Sequence, residues 1–173
     1  MNRILLIISI LGLLSCKNNE ENMEHLDSFM IIGISVETTN ENEKSVEDLG
    51  KLWDRFYTEN IQSKIPNKNS DEIYSIYTDY ETDYKGKYTS IIGLKVNSLD
   101  QIPDGLIGRT FKGGKYQKFV AKGQMPNAVI ESWQEIWAKD SELNRRYTSD
   151  FEVYGQKSQN GKNSEVEIYI ATE

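Results

Sequence analysis

Tyr147-Thr148-Ser149-Asp150-Phe151-Glu152-Val153-Tyr154 alternates polar and apolar side chains as a β-strand does. Alternation sends Asp150, Glu152 and Tyr154 to one face and Phe151 and Val153 to the other. A carboxylate in the middle of such a strand is unfavourable unless water or a partner receives it. The residues alone leave two readings: the Glu152 face is the wet side of a one-sided sheet, or it is the floor of a pocket. After this strand, Asn160-Gly161 is a strong hairpin signal leading into a second β-rich run at residues 165–172. Before it, Pro126 opens a helix with Val129, Trp133, Ile136 and Trp137 on one face. Residues 106–120, ahead of that helix, are extended and break at Gly113-Gly114.

The same order of strand, helix, strand, strand occurs earlier in the chain. Residues 29–38 are β-rich, and Ser45-Val46-Glu47-Asp48 reads as an N-cap with acids in the first turn. Val46, Leu49, Leu52, Trp53, Phe56 and Tyr57 then recur at helical spacing, up to a stop near Pro66. Strands are expected at 72–81 and 88–96, and Ile102-Pro103-Asp104-Gly105 links the halves. Leu49 and Trp53 match Val129 and Trp133 at a shift of 80, and Glu72 and Tyr88 match Asp150 and Val166 at a shift of 78. The fold class that follows is α+β: duplicated βαββ units forming one antiparallel sheet with two helices on one face.

The N-terminal region has another character. Arg3 precedes an apolar run over residues 4–14 that ends in Leu13-Leu14-Ser15-Cys16. This is short for a membrane-spanning helix but suits an export signal. Its end resembles the bacterial lipobox, so residues 1–15 read as a lipoprotein signal peptide and Cys16, the only cysteine, as the lipidated residue of a membrane-anchored protein. Residues 16–28 are mostly polar and read as the lipidated N-terminus and a flexible tether, with residues 29–173 as one domain. The sole histidine, His25, falls in that tether, so no metal site is expected. With 27 acidic residues against 20 basic, one of them in the signal peptide, the chain lacks the clustered cations that nucleic acid requires. The leader points to the cell envelope, with the outer membrane the expected location.

Several segments together resemble one family. They are residues 77–88 (Tyr-Thr-Asp-Tyr-Glu-Thr-Asp-Tyr-Lys-Gly-Lys-Tyr), Ile102-Pro103-Asp104-Gly105-Leu106, Lys115-Tyr116-Gln117-Lys118-Phe119 with Gly123, residues 132–137 (Ser-Trp-Gln-Glu-Ile-Trp), and above all residues 147–154. In this order they are similar to the GyrI-like effector-binding domain, the small-molecule-binding module also found behind the DNA-binding domains of AraC- and MerR-type regulators. The resemblance spans about residues 29–173. It implies a pocket over the sheet between the two helices, aromatic and often holding a buried glutamate, that takes lipophilic cations. The matching positions name Glu152, Tyr154, Trp133, Trp137, Tyr116, Phe119, Tyr80 and Tyr84 as ligand-binding candidates.

Taken as chemistry, a single glutamate beside a tyrosine is a non-specific arrangement. Three readings follow. The first is an anchored protein that binds or sequesters lipophilic, cationic compounds without any cofactor. The second is a hydrolase of reactive cyclopropanoid-type compounds using Glu152, as some stand-alone relatives imply. The third is a scaffold whose pocket has closed. Trp133 and Trp137 form an i,i+4 pair that suits either a core or a cage, and Trp53 is their counterpart in the first helix.

Overall fold

The computed structural model describes residues 22–173. The signal peptide and Cys16 lie outside the described residues. Eight antiparallel strands form one sheet in the order β1-β6-β8-β7-β3-β4-β2-β5. They are β1 (Met23–Leu26), β2 (Phe29–Thr39), β3 (Lys68–Thr78), β4 (Lys87–Val96), β5 (Ile107–Phe111), β6 (Gly114–Gly123), β7 (Ser149–Tyr154) and β8 (Ser164–Ala171). Two main helices, α1 (Lys44–Thr58) and α3 (Asn127–Ala138), cover one face, and a single turn, α2 (Ile61–Lys64), follows α1. The duplicated α+β architecture read from the sequence is therefore the fold.

Two corrections concern its edges. The segment expected to be all tether contains β1, which pairs along β6 from Met23↔Gln117 to Leu26↔Gly114. Leu26 packs on the buried cluster beneath, and Glu24 meets Lys118 at 3.2 Å. Four residues of mixed polarity carry too little pattern to announce this strand; the free edge of β6 supplies its hydrogen bonds. The run over 106–120 also divides where the two glycines stand. Its first part, β5, pairs with β2 of the first half, and only β6 belongs to the second.

Two short connectors force the sheet to curl. β1 and β2 stand six strands apart, about 29 Å in a flat sheet at ~4.8 Å per strand. Asp27 and Ser28 alone connect them, and that connection spans at most about 11 Å. Lys112 and Gly113 join β5 to β6 across the same interval. The rings report the direction of curl: Phe29 on β2 meets Phe151 on β7, three strands away, at 5.4 Å. Phe29, Phe111, Tyr116, Phe151 and Tyr169 thus fill the concave face, which carries no helix among the described residues.

On the convex face, α1 packs over β2 and β4, and α3 over β6. Leu52 and Phe56 pack with Ile32, Ile34, Ile92 and Leu94; Val129, Trp133 and Ile136 pack with Ala121, Val166, Ile168 and Ile170. The two helices flank a seam, the β3–β7 pair, where the halves join. The start of α1 differs from the expected N-cap. Ser45 lies inside the first turn, Val46 is exposed, and Asp48 instead accepts a hydrogen bond from Thr38 at 2.7 Å.

The crossing of the connectors yields a paired test. A Cβ on Gly113 would stand 2.2 Å from the Leu26 carbonyl oxygen, whereas one on Gly114 would meet nothing within 4 Å. Gly113→Ala is expected to destabilise the domain by roughly 1–3 kcal/mol, and Gly114→Ala to be neutral or to stabilise by about 0.4–1 kcal/mol, as urea melts would measure.

Candidate functional site

The seam pairing is symmetric about one cross-strand pair, Ser75↔Glu152, with Ile73↔Tyr154 and Tyr77↔Asp150 on either side. The strands beyond continue the symmetry: Ser75 lies beside Ile92 and then Ile34, and Glu152 beside Ile168 and then Phe119. A pseudo-twofold axis therefore passes through Ser75 and Glu152, mapping Tyr77 onto Tyr154. The shift between these strands is 77 (75 to 152), not the 78 matched in the sequence. An odd shift is required here because a slip of one residue would exchange the faces of the strand.

Glu152 sits on this axis with its side chain toward the helices and is 1% exposed. Its carboxylate accepts three hydrogen bonds: from the Trp133 indole N–H at 2.6 Å, from the Tyr77 hydroxyl at 2.8 Å and from the Tyr154 hydroxyl at 2.7 Å. The Ser75 hydroxyl donates to the Tyr77 oxygen at 3.2 Å, which leaves the Tyr77 proton for the carboxylate. The rings repeat the symmetry. Tyr77 meets Trp133 edge-on at 5.2 Å, and Tyr154 meets Trp53 edge-on at 5.1 Å.

Asp150, two residues away on the same face, shows what Glu152 lacks. Both acids are fully buried. Asp150 is bound by the Arg145 guanidinium at 2.7 Å, the Tyr80 hydroxyl at 2.8 Å and the Ala171 N–H at 2.8 Å. Among the described residues, no Lys, Arg or His forms an ion pair with Glu152. Burial raises the Glu152 pKa above the ordinary carboxylate value, and its three donors oppose that rise in part. Burial and the neighbouring acid push the Tyr77 and Tyr154 hydroxyls far up, so both stay protonated as donors.

Of the residues singled out in the sequence, Glu152, Tyr154 and Trp133 converge at one point. Trp137 forms the outer wall, 6.0 Å from Trp133 and stacked on Tyr84 at 5.4 Å. Tyr80 belongs to the Asp150 network. Phe119 lies on the helix-facing side but two strands from Glu152. Tyr116 is a correction. It points to the concave face, packs on Phe151 at 5.3 Å and bonds Ser149, because side chains alternate along β6 and Gln117, not Tyr116, faces the helices. Tyr77, Ser75 and Trp53 complete the site. Tyr77 and Ser75 were detectable only from the repeat taken in its true register.

The comparisons with known proteins bear on what this arrangement does. Residues 22–172 match the model of a family described as integron-associated effector binding protein (Cass2). The putative transcriptional regulator protein YobU of Bacillus subtilis is 29% identical over 150 residues, 85% of this chain and 94% of that protein. The crystal structure of integron cassette protein VCH_CASS2 of Vibrio cholerae is 30% identical, with a TM-score of 0.71 over 88% of this chain and 95% of that one. SAV2435, solved bound to tetraphenylphosphonium, shares the fold at 22% identity and a TM-score of 0.74, over 87% and 92% of the two chains.

The electrostatics give a signed prediction. Between the ordinary glutamate pKa and the raised one in the fold, the folded protein holds a proton that the unfolded chain has released, so the Glu152 contribution to stability falls as pH rises through that window. Glu152→Gln has no such titration. Its stability relative to the wild type is expected to grow from pH 4 towards pH 7, in denaturant melts across that range. A difference that stays flat would show that Glu152 titrates normally.

Proposed function

This chain belongs to the family of integron-associated effector-binding proteins, and on that premise we propose that its small-molecule ligands are lipophilic monocations, held in the aromatic cleft over Glu152. One observation carries the reading: Glu152 is fully buried, hydrogen-bonded by three neutral donors, and has no cationic partner among the described residues. An ionised carboxylate so placed has lost several kcal/mol of solvation, which hydrogen bonds return only in part. A cation with an apolar body compensates the charge while covering the rings, each close cation–aromatic contact adding about 0.5–2 kcal/mol. The tetraphenylphosphonium complex of SAV2435 is a ligand of this chemistry on the same fold. Glu152 and Tyr154 offer no separate nucleophile and base, and both carboxylate oxygens are already engaged by donors. Binding is therefore favoured over hydrolysis.

The reading extends to location. Arg3, the apolar run and Leu13-Leu14-Ser15-Cys16 support a lipoprotein anchored in the cell envelope, at the outer membrane, with the folded domain in water. The ligand is then met outside the cytoplasm, and the protein sequesters it there.

Two measurements test these proposals separately. Glu152→Gln keeps the shape of the side chain and removes the charge. It is expected to weaken a cationic dye by about tenfold or more while leaving a matched neutral dye nearly unchanged. Fluorescence titration decides, and equal loss for both dyes would assign Glu152 no part in charge recognition. Cys16→Ala is expected to move the protein from the membrane to the soluble fraction without altering its thermal melt, since the first strand starts at Met23. Continued partition with membranes would count against the lipid anchor.

A further inference from the structure

In both the β1–β6 and the β2–β5 ladder the paired residue numbers add to the same total, 140, so the two ladders are one register interrupted at Asp27-Ser28 and Lys112-Gly113. The curled sheet therefore closes on itself as a barrel, and its interior is the ring-filled concave face. At the mouth where β2 and β3 begin and β4 and β7 end lies a cavity of about 390 Å³. Barrel mouths are frequent ligand sites, and small-molecule pockets measure about 300–1,000 Å³. Phe29, Phe151, Val153 and Tyr169 form the floor of this one, and Tyr74 a wall. It is separate from the Glu152 site, because Phe151 and Val153 flank Glu152 along β7 but point to the opposite side of the sheet.

The rim carries charges of both signs that the described residues leave unmatched. Glu167 is satisfied, by Lys118 at 2.9 Å and the Tyr169 hydroxyl at 2.8 Å. Lys95 on β4 and Glu72 on β3 stand on neighbouring strands, yet among the described residues neither forms an ion pair, with the other or elsewhere. They turn apart. The Lys95 ammonium lies 5.7 Å from the centre of the Phe29 ring, toward β2. The Glu72 carboxylate lies on the other side, 3.2 Å from where a Cβ on Gly155 would stand, and receives only the Ser70 hydroxyl, at 3.4 Å. The Tyr74 hydroxyl has no hydrogen-bond partner among the described residues; burial, with the charges of Glu72 and Glu167, pushes its pKa up to about 12, so it keeps its proton. A simple cation in this mouth would face Lys95, and a simple anion would face Glu72 and Glu167. A ligand that carries both charges on one carbon matches groups on adjacent strands, about 4.8 Å apart. We propose that the barrel mouth is a second binding site, independent of the Glu152 reading, that takes an aromatic zwitterion of the α-amino-acid type, with its ring on the floor, its carboxylate on Lys95 and its ammonium on Glu72. The Tyr74 hydroxyl can donate to the one end or accept from the other.

Calorimetric titration of the full chain tests this with three probes: L-phenylalanine, phenylalaninamide, which lacks the carboxylate, and N-acetyl-phenylalanine, which lacks the ammonium. L-phenylalanine is expected to bind the wild type and Glu152→Gln alike. The comparisons are then made in Glu152→Gln, so that the seam does not take up the cationic amide. There each derivative should bind about tenfold more weakly than the amino acid. Adding Lys95→Gln should weaken L-phenylalanine by about tenfold and phenylalaninamide by less than about twofold. Adding Glu72→Gln should weaken L-phenylalanine and phenylalaninamide by about tenfold and spare N-acetyl-phenylalanine. Lys95 is half-buried and Glu72 exposed, and neither is tied to the core by an ion pair among the described residues, so both variants are expected to fold. Wild-type protein that does not bind L-phenylalanine overturns the inference, as does binding that is lost in Glu152→Gln, which would place the amino acid at the seam. Loss of all three probes alike in the Lys95 or Glu72 variant, or of none, overturns it too, because the rim would then not read the charges of the ligand.

Discussion

Two connectors of two residues each hold the sheet in its shape. Asp27-Ser28 and Lys112-Gly113 each join strands six positions apart, and a chain that short reaches only if the sheet curls until its ends approach each other. Curling gathers the rings of Phe29, Phe111, Tyr116, Phe151 and Tyr169 into the concave face. It also makes the face that carries the helices convex. Helices on a convex surface diverge, and α1 and α3 each pack over the outer strands of their own half, on opposite sides of the seam. The β3–β7 seam therefore lies between the two helices and not beneath either one.

Duplication then decides what lies on the seam. Because β3 and β7 pair with each other, the residues nearest the axis come from equivalent positions of the two halves. Tyr77 and Tyr154 become two arms around one point, each braced edge-on by a tryptophan of the other half's helix. Two identical halves would place identical residues at the axis, and two carboxylates directly opposite each other would repel. Ser75 facing Glu152 avoids that conflict, orders the hydroxyl of Tyr77, and leaves a single charge in a symmetric cage.

The two buried acids of β7 differ in how their charge is met. Asp150 is tied to Arg145, whose other guanidinium nitrogen bonds Asp140 at 3.1 Å, and so pins the loop before β7 to the sheet. Breaking such a pair leaves an uncompensated charge and costs about 3–5 kcal/mol. Among the described residues Glu152 is held only by dipoles, which orient it and lower the cost of its charge without cancelling that charge. A buried acid maintained without a partner is a place where local stability has been lost, and such places concentrate where ligands bind.

The sequence by itself determined the repeat and the order of strand, helix, strand, strand within it, and it set Asp150, Glu152 and Tyr154 on one face of a strand. Period-2 and period-3.6 patterns are local, and they showed in residues 147–154 and around Trp133 because one face of each element is buried. Tertiary structure alone decided β1, the division of residues 106–120 between the two halves, the concave position of Tyr116, and the place of Ser75 and Tyr77 beside Glu152. These depend on which strands are neighbours and in what register. Matching residue types gives a shift of 78 for these strands, yet the pairing sets it at 77, and one extra residue exchanges the faces of a strand. Whether Glu152 met water or a closed cage was likewise undecided along the chain. Burial is a property of what packs above a residue, and here that is the two tyrosines and Trp133, which the curled sheet and the flanking helices bring over it.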